Sequence, residues 1–213
     1  MVEAVIWDFG GVLTSSPFEA FARYERERGL PVDFIRGINA TNPDTNAWAL
    51  FERSEVTLDE FDALFAKEAK AKGHDVGGRA VVELLSGDIR PAVVAALKAC
   101  KARVKVGCIT NNVPAGQGAG MARSADKAAA VAEVMALFDH VIESSKLGIR
   151  KPDPRIYELA CKELGVSPAR CVYLDDLGIN LKPAKTLGMT TIKVGDPVLA
   201  LQELEAAVGF PVG

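Results

Sequence analysis

Short apolar runs rich in valine and isoleucine recur along the chain, separated by longer stretches of helical period. That alternation predicts parallel strands joined by crossover helices. The runs place strands at Ala4 to Asp8, Lys105 to Thr110, Val141 to Ile142 with its flanks, Cys171 to Asp175, and Thr190 to Val194. Near-continuous hydrophobicity within them implies burial on both faces of the sheet.

Helix starts are marked at Asp153-Pro154, Ser167-Pro168 and Asp196-Pro197, each a capping side chain ahead of a proline at the first helical position. Thr57 and Glu60 form a capping box before LDEFDALFAKEAKAKG. Between Ser15 and Arg103 every signal is helical, over far more chain than a crossover needs. An inserted helical cap is therefore expected at residues 16–86, with a core formed by residues 1–15 and 87–213 and a core helix from Arg90 to Arg103. The expected class is α/β, a Rossmann-like parallel sheet with flanking helices and a small inserted α-helical cap.

Length agrees with this, since 213 residues suit one core domain with a modest insertion. A net charge of −3 without a long basic block speaks against nucleic acid as a partner. Cys100, Cys108, Cys161 and Cys171 lie scattered with no C-x-x-C pair, so they read as reduced thiols rather than a disulfide frame or zinc site. No apolar run reaches membrane-spanning length, and the first one contains Asp8, unlike a signal peptide. The expectation is a cytoplasmic protein with no membrane partner. Oligomeric state is not legible.

Chemistry gathers where the strands end. In chain order the ends carry Asp8, Thr110-Asn111, a basic segment with Lys151, and Asp175-Asp176. Ligands of open parallel sheets bind beyond these carboxyl ends. Clustered carboxylates repel unless a hard cation sits among them, and Mg2+ suits one or two carboxylates, a carbonyl and waters. Asp8, Asp176 and the backbone carbonyl of Gly10 would supply such ligands. Lys151, the Thr110 hydroxyl and the Asn111 backbone N–H would hold an anionic oxygen. A small phosphorylated molecule fits that set.

The segments WDFGGVL, CITNN, RKPDP and YLDDLGINLKPA resemble the four motifs of the haloacid dehalogenase-like superfamily. Within it, DDLGINLKPAKTLGMTTIKV and KPDPRIY are similar to the N-terminal phosphatase domain of soluble epoxide hydrolases. The resemblance implies a Mg2+-dependent phosphatase in which Asp8 attacks phosphorus and becomes an aspartyl phosphate, later hydrolysed. It assigns phosphate holding to Thr110 and Lys151, with Lys151 also pairing Asp8, and metal ligation to Asp176. Asp175 is either a second ligand through water or an orienting residue. Asn180, one helical turn beyond Asp176, can face the phosphate.

One position departs from the phosphatase pattern. Its first motif is D-x-D, whose second acid protonates the leaving group and then activates water, and here that residue is Gly10. A positioned acid or base contributes about 100 to 10,000-fold. Good leaving groups, those of sugar-1-phosphates, aryl phosphates or acyl phosphates, suffer least from its loss. The alternative is an impaired or non-catalytic phosphometabolite binder on the same scaffold. Dehalogenation fits less well, because that branch has D-x-Y-G-T first and lacks the acid pair that Asp175-Asp176 supplies. GQGAGM has Met121 where a dinucleotide fingerprint needs glycine, and reads as a loop entering a helix.

Substrate choice is expected to lie with the cap. Its aromatics, Phe18, Phe21, Tyr24, Trp48, Phe51, Phe61 and Phe65, fit bundle packing, leaving Phe18 or Trp48 as candidate entrance residues. Asn39, Thr41, Asn42, Asp44 and Asn46 form a polar connection, either solvated or able to meet a hydroxylated substrate.

Overall fold

The computed structural model describes residues 1–118 and 120–213, so the GQGAGM run contains one position, residue 119, outside the described residues. Five strands, β1 (Ala4–Trp7), β2 (Lys105–Thr110), β3 (His140–Glu143), β4 (Cys171–Asp175) and β5 (Thr190–Lys193), form one parallel sheet in the order β3-β2-β1-β4-β5. The α/β reading is correct. Chain order reverses around β1, which pairs Trp7 with Cys108 of β2 on one side and with Leu174 of β4 on the other. A crevice outside the carboxyl ends at such a reversal is the usual ligand site of these sheets.

Between β1 and β2 the chain forms α1 (Pro17–Arg28), α2 (Phe34–Asn39), α3 (Ala47–Glu52), α4 (Leu58–Ala71), α5 (Gly78–Val82) and α6 (Pro91–Lys101). After β2 come α7 (Ala125–Met135), α8 (Ser144–Leu147), α9 (Pro154–Leu164), α10 (Gly178–Thr186) and α11 (Pro197–Val208). The capping box of Thr57 and Glu60 is formed at α4, and Asp153 and Asp196 cap α9 and α11. Ser167-Pro168 behaves differently. It opens only a one-turn 3-10 helix, Pro168–Arg170, because β4 starts at the next residue.

Side-chain alternation along β1 builds two cores. Val5 and Trp7 join Leu97 of α6, Val134 of α7 and Leu204 of α11 on one face, while Ala4 and Ile6 join Tyr157 of α9 and Ala184 of α10 on the other. Helices α1 to α5 share a third core of Phe21, Ile35, Phe51, Phe61, Phe65 and Val81. Phe51 and Phe61 stack there with centroids 4.4 Å apart. Burying each ring contributes roughly 1.5–3 kcal/mol relative to exposure. This core also takes in Val113, from the segment that leaves β2. The helices therefore rest on the end of the sheet where β2 terminates.

Candidate active site

Asp8 is the first residue past β1 and is 7% exposed. Its backbone N–H donates to the Leu174 carbonyl at 2.8 Å, carrying the strand pairing one residue further. Its side chain turns back, Oδ1 accepting from the Phe9 N–H at 2.7 Å. The chain then bends at Gly11, whose φ of +82° is costly for other residues. A Cβ there would lie 2.3 Å from Asp176 Oδ2, so glycine is required for Asp176 to approach. At Gly10 a Cβ would meet nothing within 4 Å.

Lys151 enters between the carboxylates. It is 1% exposed, and its Nζ lies 2.8 Å from Asp8 Oδ1 and 2.9 Å from Asp175 Oδ2. Burial alone would press the ammonium toward neutrality, but Asp175 and Asp8 outweigh it and raise its pKa. The Asn111 side chain fixes its backbone, Oδ1 accepting from Lys151 N–H at 2.8 Å and Nδ2 donating to the Lys151 carbonyl at 3.0 Å. Thr110, 2% exposed, ends β2 just before it.

Asp175 is fully buried and saturated by donors. Oδ2 accepts from Lys151 and from the Tyr173 hydroxyl at 2.5 Å, Oδ1 from the Leu177 N–H at 2.8 Å, and both from Asn180 Nδ2 at 3.1 Å. The amide of Asn180, expected to face a phosphate, is thus turned onto Asp175, and the Asn180 carbonyl accepts from the Tyr157 hydroxyl at 2.8 Å. Spacing along α10 brings Asn180 onto the same face as Asp176 but does not reveal which group its amide meets.

Asp8, Asp175 and Asp176 place one carboxylate oxygen each within 4.8 Å of one another. Burial first, then Asp175, pushes the Asp176 pKa up to about 6. Burial likewise holds Asp8 well above the usual carboxylate range, with Lys151 opposing and Asp175 and Asp176 adding to it. Such a cluster, left to itself, disfavours full ionisation. A hard divalent cation removes that penalty, and an all-oxygen donor set matches Mg2+. Among the described residues, no neighbour hydrogen-bonds Asp8 Oδ2 or the Asp176 carboxylate, whereas Asp175 has no oxygen to spare. Asp8 and Asp176 fit the ion best.

The haloacid dehalogenase-like hydrolase family model matches residues 2–188. The chain belongs to that family. It is 31% identical to bifunctional epoxide hydrolase 2 of Mus musculus over 96% of this chain and 39% of that protein. It is 31% identical to phosphatase MT3486 of Mycobacterium tuberculosis over 88% of this chain and 85% of that one. A HAD family enzyme of Bacteroides thetaiotaomicron, solved in complex with magnesium and inorganic phosphate, superposes with a TM-score of 0.60 at 19% identity, covering 92% of this chain and 96% of that one. The chain spans no more than 39% of the first curated relatives it matches.

Several contributors escaped sequence reasoning. Gly11 is one, signalled only by the second glycine of DFGG. Arg90 is another: Nη1 donates to the Gly11 carbonyl at 2.7 Å, and the guanidinium's charge opposes the rise in the Asp176 pKa. Tyr173 opens the YLDD segment, but nothing in that segment marks its hydroxyl as a donor to Asp175. In the polar connection, Asn46 is used internally, donating to the carbonyls of Asn39 and Thr41 and accepting from Ala49 N–H. Phe21, Phe51, Phe61 and Phe65 are buried, while Phe18, Tyr24 and Trp48 are partly so. No described helix is long and apolar enough to cross a membrane.

Proposed function

We propose that this chain is a Mg2+-dependent phosphatase of small phosphorylated metabolites that works through an aspartyl phosphate on Asp8. The observation that carries this reading is Lys151 Nζ held 2.8 Å from Asp8 and 2.9 Å from Asp175, beside Asp176. Asp8 Oδ1 is fixed by Lys151 and Phe9 N–H, which holds the carboxylate in one orientation for attack. Bond formation from the Asp8 carboxylate to phosphorus breaks the bond to the leaving oxygen, and water then cleaves the acyl phosphate, releasing inorganic phosphate and restoring the carboxylate. Mg2+, held by Asp8, Asp176 and the Gly10 carbonyl, would supply positive charge against the meeting of two anions.

Lys151 and Thr110 serve the phosphoryl oxygens, with the Asn111 backbone N–H. Asp175 is the orienting residue of the acid pair, and Asn180 holds Asp175 rather than phosphate. Residues 16–86 act as the cap over a core of residues 1–15 and 87–213. The open space at Gly10 leaves the leaving group without its usual acid, so aryl, acyl and sugar-1-phosphates are the favoured substrates. Four free, buried cysteines suit a reducing, cytoplasmic setting.

Phosphate release from aryl, sugar-1- and acyl phosphates, with and without Mg2+, tests the reading. Metal-dependent turnover lost in Asp8→Asn is the expected result. Silence across the panel, with inorganic phosphate still bound, would instead support a non-catalytic binder, the reading that Gly10 favours.

A further inference from the structure

The segment from Ser144 to Lys151 is gripped from two sides. On the sheet side, Asn112 accepts from Ser145 N–H and Oγ at 3.2 and 2.8 Å, and Asn111 pairs with the Lys151 backbone. On the helical side, Ser54 Oγ donates to the Ser145 carbonyl at 2.6 Å and Arg150 Nη1 donates to the Pro43 carbonyl at 2.8 Å. The central contact is ionic. Arg150 Nε lies 2.5 Å from Glu52 Oε2 at the end of α3, with side-chain exposures of 20% and 7%. Neither atom has a hydrogen-bond partner of its own among the described residues, so each depends on the other's charge.

We propose that Glu52 and Arg150 are a positioning pair, through which the seating of helices α1 to α5 sets the place of Lys151. The claim rests on the phosphate-holding role read for Lys151 above. Arg150 is the residue immediately before Lys151, so a shift of the guanidinium is passed on through a single peptide unit. A buried acid with one cationic partner strongly prefers the geometry that keeps it. The site's electrostatics already reach α3: burial is the main cause of Glu52's raised pKa, opposed first by Arg150 and, among lesser causes, by the Lys151 ammonium. Glu52 therefore joins the helices above the sheet end to the segment that carries Lys151 at its rim. Loss of the pair loosens the backbone that leads into Lys151 from the α3 side, while Asp8, Asp175 and Asn111 keep their own contacts with it.

The test compares wild type with Glu52→Gln, Arg150→Gln and Arg150→Lys. For each, thermal unfolding is recorded, amide hydrogen exchange is followed over residues 144–151, and inorganic phosphate is titrated in Mg2+ by calorimetry. Both glutamine variants are expected to exchange about tenfold faster across 144–151. They are also expected to bind phosphate about tenfold more weakly. Arg150→Lys, which keeps charge but not the fork, should recover part of both. A folded Glu52→Gln protein with unchanged exchange over 144–151 overturns the proposal. So does faster exchange with unchanged phosphate affinity, which would make the pair structural only. If wild type itself binds no phosphate, the phosphatase reading fails and the positioning of Lys151 for phosphate fails with it, whereas unchanged exchange alone leaves that reading intact.

Discussion

Gly11 and Asp176 occupy one volume: a Cβ on the glycine would fall 2.3 Å from Asp176 Oδ2. The bend after β1 and the acid after β4 are thus fitted to each other, and Arg90 holds the bend by its grip on the Gly11 carbonyl. Gly11→Ala must strain the backbone, at about 1–3 kcal/mol, and displace Asp176. The expected outcome is a lower melting temperature together with loss of the rise that Mg2+ is expected to give the wild type. Gly10→Ala, with free space around it, should keep its unfolding free energy within roughly 0.5 kcal/mol of the wild type. Thermal scans of both variants with and without Mg2+ decide it; an equal Mg2+ response in Gly11→Ala would separate Asp176 from the ion.

Because a side chain at Gly10 meets no neighbour within 4 Å, Gly10→Asp is expected to fold and to restore an acid where the leaving group departs. Alkyl phosphates depend on leaving-group protonation and aryl phosphates largely do not. Alkyl phosphate turnover should therefore rise by about 100-fold or more, with a far smaller change for aryl substrates. Equal gains on both, or none, would refute this account of the missing acid.

The sheet was legible because buried parallel strands leave continuous apolar runs, and Asp8, Thr110 and Asp175 could be placed by where those runs stop. Partners were less legible. Tyr173 and Asp175 share one strand two residues apart, and only the folded geometry turns the hydroxyl onto the carboxylate. Asn180 was brought to the site by helical spacing, yet spacing does not distinguish a phosphate from an aspartate as its target. Glu52 and Arg150 come from segments far apart in the chain; Glu52 belongs to no motif, and Arg150, although it opens RKPDP, carries no sign there of its partner. Ser167-Pro168 carries a helix-start signal that β4 cuts short, a tertiary constraint that local sequence does not encode.

Protonation of Asp176 links stability to pH. Burial and Asp175 raise its folded pKa from 3.8 to about 6, so the ion-free fold binds a proton that the unfolded chain gives up. The stabilisation is full below 3.8 and is lost as pH climbs through about 6. In Mg2+-free buffer the wild type should lose stability across that window more than Asp176→Asn does. Mg2+ binding near pH 6 should release protons, visible as a dependence of the calorimetric heat on buffer ionisation enthalpy. A heat independent of the buffer would mean that the ion does not displace a proton from this acid.

Tyr173→Phe keeps the ring that packs edge-on against Tyr157, with centroids 5.3 Å apart, and removes only the hydroxyl that donates to Asp175. Hydrogen bonds to charged groups contribute about 1.5–3 kcal/mol, so a stability loss of that order is expected. The functional consequence follows from the shared oxygen. Asp175 Oδ2 accepts from both Tyr173 and Lys151, and with one donor gone it draws Lys151 closer and away from Asp8. Inorganic phosphate should bind more weakly, while the Mg2+-dependent melting shift expected from ligation by Asp8 and Asp176 should persist. Titration of phosphate into the variant checks this, and a parallel loss of the Mg2+ shift would show instead that Asp175 is itself a ligand.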